Sequence, residues 1–505
     1  MQTQEPDKRD IMSMSGVALQ DLLVVEDDPS ILDFRCGETG IPVWTQVRTE
    51  VLRKMISDLF YATAGPVANF DGTTNAAVSK SQAFSTMGRS ILNNLRFRLG
   101  GRCHADVCLV ATAAGNQWID GKWFNRLSDY FALACPSGTI TFESHFEWKW
   151  PVPRHNKRVI YRAPLQAANA VMGKLQLREG HRRQAEGLLS LVFERTKRYL
   201  GWDPGADRKQ ALGDRLSRKI AALPHQYRAY EALLTRIQPK LIIVEEACYG
   251  ATAALMTAAR RRDILTAEYQ HGGISGGHDA YNFAPTVRES PEYRETLPEH
   301  FLGYGDWWND QINAPVTKIA IGNPHREAKL AQTPTQSQAK ADILILSDGG
   351  DFSLYLALAE EIASGAAKRG LRVVLRPHPL ERSVVRAKYR DRMGEVWQDK
   401  NDDLYASLAT THVVISEVST GLFDAAGLAD KIFIWDTPKS RFAYPRHPFQ
   451  TFSSASMLLE LLNEENAGRL PASELDAIWA PSWRDNYLGF LERHGVRCAE
   501  PRSLP

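Results

Sequence analysis

The chain has 505 residues, 44% hydrophobic and 24% charged, with a net charge of +2 at pH 7. At roughly 150 residues per domain this is material for about two to four buried cores. Collagen-like, disulfide-miniprotein and wholly disordered readings are excluded, and the near-neutral balance gives no global attraction to nucleic acid or a strongly anionic membrane.

Residues 1–40 lack a sustained apolar period and are expected to be weakly ordered. Predicted order begins in 41–61, where Val47, Val51, Leu52, Met55, Ile56 and Leu59 repeat at helical spacing. Strands are predicted at Val107–Ala111, Thr139–Phe142 and Arg158–Arg162, with a loop and helix over 116–131. Long helices follow over about 166–200 and 207–237. From Pro239 the texture changes. Leu241–Val244 is a continuous apolar run, the mark of a strand covered on both faces. A helix and a strand ending near Gln270 complete a parallel α/β unit, and further short strands are predicted within 300–308 and 317–323.

Residues 328–341 are polar, contain proline and read as a linker. Beyond it, strands at 343–347, 371–377, 394–398, 412–416 and 431–436 alternate with helices, a Rossmann-like half. The expected organisation is a weakly ordered 1–40, a first α/β domain over 41–327, the linker, a second domain over 342–455, and C-terminal helices over 456–505 packing back on the first domain. The six cysteines form no CxxC pair and read as reduced cytosolic thiols. The N-terminus lacks a basic-then-apolar signal pattern, no run of about 18 apolar residues is present, and no clear amphipathic anchor stands out.

Ligands of open parallel sheets sit beyond the carboxyl ends of the strands, and several such ends here carry polar or glycine-rich residues. Glu417 leads into Ser419, Thr420 and Gly421, between a strand and a helix, where N–H groups and hydroxyls suit a phosphate. A plain helix cap by Thr420 is the alternative. In Arg376-Pro377-His378-Pro379 the prolines restrict the backbone and aim an imidazole that can stabilise a departing phosphate, against the alternative of a rigid loop with a surface histidine. Arg376 adds charge there or pairs with a carboxylate. Asp348, Gly349 and Gly350 either admit a ligand close to the backbone or form a tight turn, with Asp351 capping the next helix.

In the first half, Gln270, His271, Gly272 and Gly273 open a glycine-rich loop. His271 is a candidate base for an acceptor hydroxyl, against the alternative of a structural loop histidine. Glu245 and Glu246 end a buried strand, where carboxylates are costly unless partnered or facing a cleft. Either is a candidate base. His271 and His278 lack a third ligand at metal spacing, so neither a metal nor another cofactor is expected. Arg126 and Asp129 have the spacing of a surface ion pair. Trp307 and Trp308 either stack on a sugar or fill the core. No Asp-x-Asp metal motif, P-loop or GxGxxG fingerprint occurs, against a kinase, an NAD enzyme or a Mg-dependent single-domain transferase.

Two Rossmann-like halves, with QHGG closing a strand of the first and RPHP and SEVSTG in the second, resemble glycosyltransferases of the GT-B fold. More narrowly they resemble bacterial surface-polysaccharide enzymes: sialyltransferases, polysialyltransferases, 3-deoxy-octulosonate transferases and CDP-glycerol glycerophosphotransferases. The resemblance spans about 240–436. It implies an α/β chain with two Rossmann-like domains facing a central cleft, and a His-Pro motif (His378, Pro379) with a Ser/Thr pair (Ser419, Thr420) at the donor nucleotide. His271 matches the His-Gly histidine. The family's acidic base has no assigned counterpart among Glu245, Glu246 and Asp348. The implied activity is sugar transfer in capsule or lipopolysaccharide synthesis, from a nucleotide-activated donor, CMP-linked and acidic by preference, to a saccharide or glycolipid. His271, His378, Glu245 and Glu246 would be catalytic. Asp348, Gly349, Gly350, Arg376, Pro379, Glu417, Ser419, Thr420 and Gly421 would bind donor with His378, and Gln270, Gly272 and Gly273 would bind acceptor. Glycerophosphate transfer, a sugar-nucleotide epimerase and a non-catalytic nucleotide-sugar-binding protein are the alternatives. A cytoplasmic enzyme is expected, with no nucleic-acid partner and possible loose association with the inner membrane face.

Overall fold

The apolar runs become strands because each is buried on both faces. The computed structural model describes residues 16–61, 79–99, 104–332, 341–389, 392–496 and 498. The strands of its first half are β1 (Val107–Thr112), β2 (Asn116–Ile119), β3 (Lys122–Asn125), β4 (Thr139–Ser144), β5 (Val159–Tyr161), β6 (Leu241–Val244), β7 (Leu265–Tyr269), β8 (His300–Gly303) and β9 (Thr317–Ala320). Those of the second are β10 (Ala341–Leu346), β11 (Val373–Arg376), β12 (Arg392–Met393), β13 (Val396–Gln398), β14 (Thr411–Ser416), β15 (Lys431–Trp435) and β16 (Gln450–Phe452).

The first sheet runs β5-β4-β1-β6-β7-β8-β9, wholly parallel. The second runs β12-β13-β11-β10-β14-β15-β16, parallel except for the antiparallel edge strand β12. Both are doubly wound: the strand order reverses between β1 and β6 in one and between β10 and β14 in the other. Those splits are where such sheets open a crevice for ligands. The whole is a GT-B-like pair of Rossmann-like domains facing a cleft.

Four expectations are corrected. Residues 16–40 are not weakly ordered: Leu19, Leu22, Val25, Glu26 and Ile31 are buried in the core. Glu26 pairs with buried Arg48 at 2.6 Å, whose other nitrogens donate to the carbonyls of Asp279 and Asn282. The short turns there hide the apolar periodicity. Residues 116–125 are a β-hairpin where a loop was expected, and the expected helix is confined to Asp129–Ala134. Asp120 and Gly121 both take positive φ, as a tight primed turn demands, and Trp118 packs edge-on against Trp123 at 5.3 Å. Residues 328–332 belong to the helix Pro324–Gln332, and 333–340 of the expected linker lie outside the described residues. Finally, Cys135 and Cys498 form a disulfide, while Cys36, Cys108 and Cys248 are free and buried. Cys103 lies outside the described residues. The pair meets because the helix Trp483–Arg493 returns to the first sheet, seating Tyr487 on Phe131 at 4.9 Å. No described helix is long and apolar enough to cross a membrane.

Candidate active site

At the split of the second sheet, Ser416 Oγ donates to the Leu346 carbonyl, tying β14 to β10. The chain then turns through Ser419 and Thr420 into a helix of one turn, Gly421–Asp424. So short a helix supplies little dipole, and the expected phosphate site there rests on hydroxyls. Ser419 Oγ accepts from Gly421 N–H. Thr420 makes no side-chain cap bond, which removes the capping alternative and leaves its hydroxyl to the cleft.

His378 is held from below. Glu381 accepts from His378 N–H at 3.1 Å and from Ser347 Oγ at 2.6 Å. Leu380 N–H donates to His378 Nδ1, so in the neutral ring the proton sits on Nε2. Burial lowers the pKa of His378, against the nearby Asp348 charge. Gly349 takes φ +85°, and a Cβ there would stand 2.7 Å from His378 Nδ1. Its close approach is thus to the imidazole and not to a ligand, while Gly350 N–H closes a turn on Asp348 Oδ1. Asp351 caps the next helix through Ser353 and Leu354 N–H.

Three expected donor-binding side chains are committed elsewhere. Arg376 pairs with Asp399 at 2.5 Å and donates to the Asn401 and Asp402 carbonyls, so it braces the loop 399–402. Asp348 and Glu417 both pair with Lys439, a residue the sequence reading passed over because it arrives from beyond β15. Burying two carboxylates at a strand split needs such a cation. In the first domain Gln270 is likewise structural: its Oε1 accepts from Tyr304 N–H and its Nε2 donates to the Gly272 carbonyl. Glu245 is buried, accepting from Thr112 N–H at 2.7 Å and from the Tyr269 hydroxyl at 3.1 Å, and burial pushes it up to about 8. Glu246 is half-exposed and stands 3.9 Å from His271 Nε2. Neither glutamate lines the cavity described next.

A cavity of about 750 Å³ opens between the two sheets' carboxyl ends. It brings together His271, Gly272 and Gly273 from one domain with His378, Pro379, Ser419, Thr420 and Gly421 from the other. A smaller cavity, about 420 Å³, shares Gly273, His378, Ser419 and Thr420 with it and adds Asp348. Between them the domains touch: a Cβ on Gly273 would fall 2.4 Å from Thr420 Cγ2. His271 Nε2 lies 3.4 Å from the Tyr249 hydroxyl, and burial, with His278 and two arginines nearby, lowers its pKa to about 3. It is a neutral imidazole at physiological pH.

Solved structures to which the chain is similar share little sequence with it. The UDP-GlcNAc 2-epimerase from Methanocaldococcus jannaschii is 8% identical, with a TM-score of 0.43 over 77% of this chain and 99% of that chain. A UDP-GlcNAc 2-epimerase from Neisseria meningitidis is 11% identical, with a TM-score of 0.37 over 77% and 99%. The glycotransferase of kitacinnamycin is 13% identical, with a TM-score of 0.36 over 77% and 95%. No family model matches the chain, and no curated protein does. The chemistry is therefore read from the site itself.

Arg126, read from the sequence as half of a surface ion pair, and Asp424, which the sequence reading did not single out, both line the cavity. Asp129 does not pair with Arg126. It is buried, accepts from Asn125 N–H and pairs with Arg154 at 3.3 Å, and Arg154 also pairs with Glu143. That network anchors the end of the hairpin, and Arg126, released from Asp129, lines the cavity. No described residue hydrogen-bonds to its guanidinium or pairs with it. Asp424 accepts at Oδ1 from the Tyr405 hydroxyl at 2.7 Å, and burial raises its pKa. The remaining cavity carboxylates differ: Asp402 is 86% exposed, and Asp403 pairs with Lys329 at 2.7 Å. Trp308 is core, as one of its two readings had it, packed 4.4 Å from Phe423 of the second domain.

Proposed function

We propose that the chain transfers a glycosyl group from a nucleotide-activated donor to a saccharide or glycolipid hydroxyl. The observation that carries this reading is the shared cavity: an imidazole and two hydroxyls from the second domain face a histidine-glycine loop of the first across one hollow. Ser419 and Thr420 would donate to a donor phosphate. His378 Nε2–H would hydrogen-bond the phosphate oxygen that leaves, and Arg126 would offset its charge. Asp424, with its second oxygen free, would take the acceptor hydroxyl's proton, and His271 would orient that hydroxyl. The acidic, CMP-linked donor rests on the family resemblance.

A thermal-shift panel of CMP, CDP, UDP and GDP identifies the base. A nucleotide at 100 times its Kd should add about 2.7 kcal/mol of stability. Transfer is then measured with the matching donors, with and without acceptors. His378→Ala should keep the fold and lose about 100- to 1,000-fold in rate. Near-normal turnover in that variant would sink the assignment. Conversion of the donor with no acceptor present would make the chain an epimerase instead.

A further inference from the structure

The helix Lys80–Leu99 is built inside out. Apart from Phe97, the side it lays on the first domain is polar. Thr86 Oγ1 donates to the Trp148 carbonyl and Ser90 Oγ hydrogen-bonds His145 Nε2, each at 2.7 Å. Asn93 donates to the Val159 carbonyl, and Asn94 both donates to the Tyr161 carbonyl and accepts its N–H. The two asparagines satisfy the outer edge of β5, which would otherwise present unpaired backbone.

Phe97 packs inward on the core, but four large apolar residues point outward. Phe84 is 77% exposed, Ile91 45%, Leu92 49% and Leu95 46%. At 3.6 residues per turn the four fall within an arc of about 100°. Lys80 and Arg98 flank one margin of that arc, Arg89 and Arg96 the other, and the helix contains no Asp or Glu. The helix Ala163–Leu175 packs beside it, exposes Val171 and Leu175, and carries Lys174 and again no acid.

The charge pattern decides what covers this face. A second copy meeting it about a two-fold axis would set cations against cations. Nucleic acid would meet a greasy centre. An anionic bilayer answers both features, taking the apolar stripe below its headgroups and the cations at its phosphates. We propose that this face seats the protein on an anionic membrane surface. The expectation of no amphipathic anchor is thereby revised. The stripe is masked in sequence because the helix's polar side is the one that packs.

The test is co-sedimentation of the full-length protein with vesicles of phosphatidylcholine alone and of phosphatidylcholine mixed with phosphatidylglycerol. Binding should require the anionic lipid and weaken with salt. Arg89→Gln with Arg96→Gln should weaken it roughly 25-fold, at about 1 kcal/mol per cation. Ile91→Gln with Leu95→Gln should abolish sedimentation. All four positions are exposed, so thermal unfolding should be unchanged. Failure of the unaltered protein to sediment with either vesicle overturns the proposal. So does equal binding to both vesicles, or a dimer in solution that the Ile91 and Leu95 changes dissolve without any vesicle binding.

Discussion

A single carboxyl group sets the expected pH response of the cavity. Asp424 is desolvated, and that outweighs the Tyr405 hydrogen bond and the charges of Arg326 and Arg126, so its pKa lies above an ordinary aspartate near 3.8. A base works only when deprotonated. The rate should therefore climb with pH through that raised value and then level. Asp424→Asn should remove the acid limb and cost about 10²- to 10⁴-fold in kcat, with donor affinity little changed. Burial takes His271, and His325 of the same cavity, down to about 3, and it lowers His378 as well. A kcat profile of the Asn variant that kept the limb at the same pH would remove Asp424 from the role.

The strands were legible as elements because runs such as Leu241–Val244 and Val373–Arg376 are buried on both faces, and burial of that kind writes itself into local composition. Their carboxyl ends were legible for the same reason, so His378, Ser419, Thr420 and His271 could be picked out before their cavity was visible. Partner choice was not legible. Arg126 sits three residues from Asp129, yet Arg154 takes the carboxylate from 25 residues away. Lys439 reaches Asp348 over 91 residues. The hairpin, by contrast, was readable: Asp120-Gly121 between two short segments that each carry apolar residues is a turn signal in its own right. Strand ends also store a pH dependence. Glu245 bridges the split of the first sheet and titrates near 8, against about 4.5 for an ordinary glutamate. The folded state holds that proton while the unfolded chain releases it. Stability should therefore fall as pH rises from about 4.5 to 8, by up to about 5 kcal/mol. Glu245→Gln should flatten that slope in a series of thermal melts, and an unchanged slope would show that the carboxyl is ionised in the fold.

Over the whole molecule the cavity exists because two domains are pressed together along a seam whose apolar core is shared by both. Ser275 Oγ donates to the Ala443 carbonyl, Phe423 packs on both Trp307 and Trp308, and Trp479 Nε1 donates to the Phe423 carbonyl at 3.0 Å. Glycines permit the contact. A Cβ on Gly277 would fall 2.0 Å from the Phe442 carbonyl oxygen, and one on Gly276 2.9 Å from Pro445. A flexible side chain would swing away from such a clash, but a backbone carbonyl cannot. The φ of Gly277 is not positive, so alanine suits its own loop and the strain falls on the seam. Gly277→Ala should leave both sheets folded while parting the domains, weakening nucleotide binding by about tenfold, the scale of one overpacked contact. Gly180→Ala, whose Cβ would meet nothing within 4 Å, is the control. Titration calorimetry with the nucleotide found by thermal shift measures the difference. Equal affinities in the two variants would mean that the second domain binds the nucleotide unaided and that the His271 loop contributes nothing to the hold.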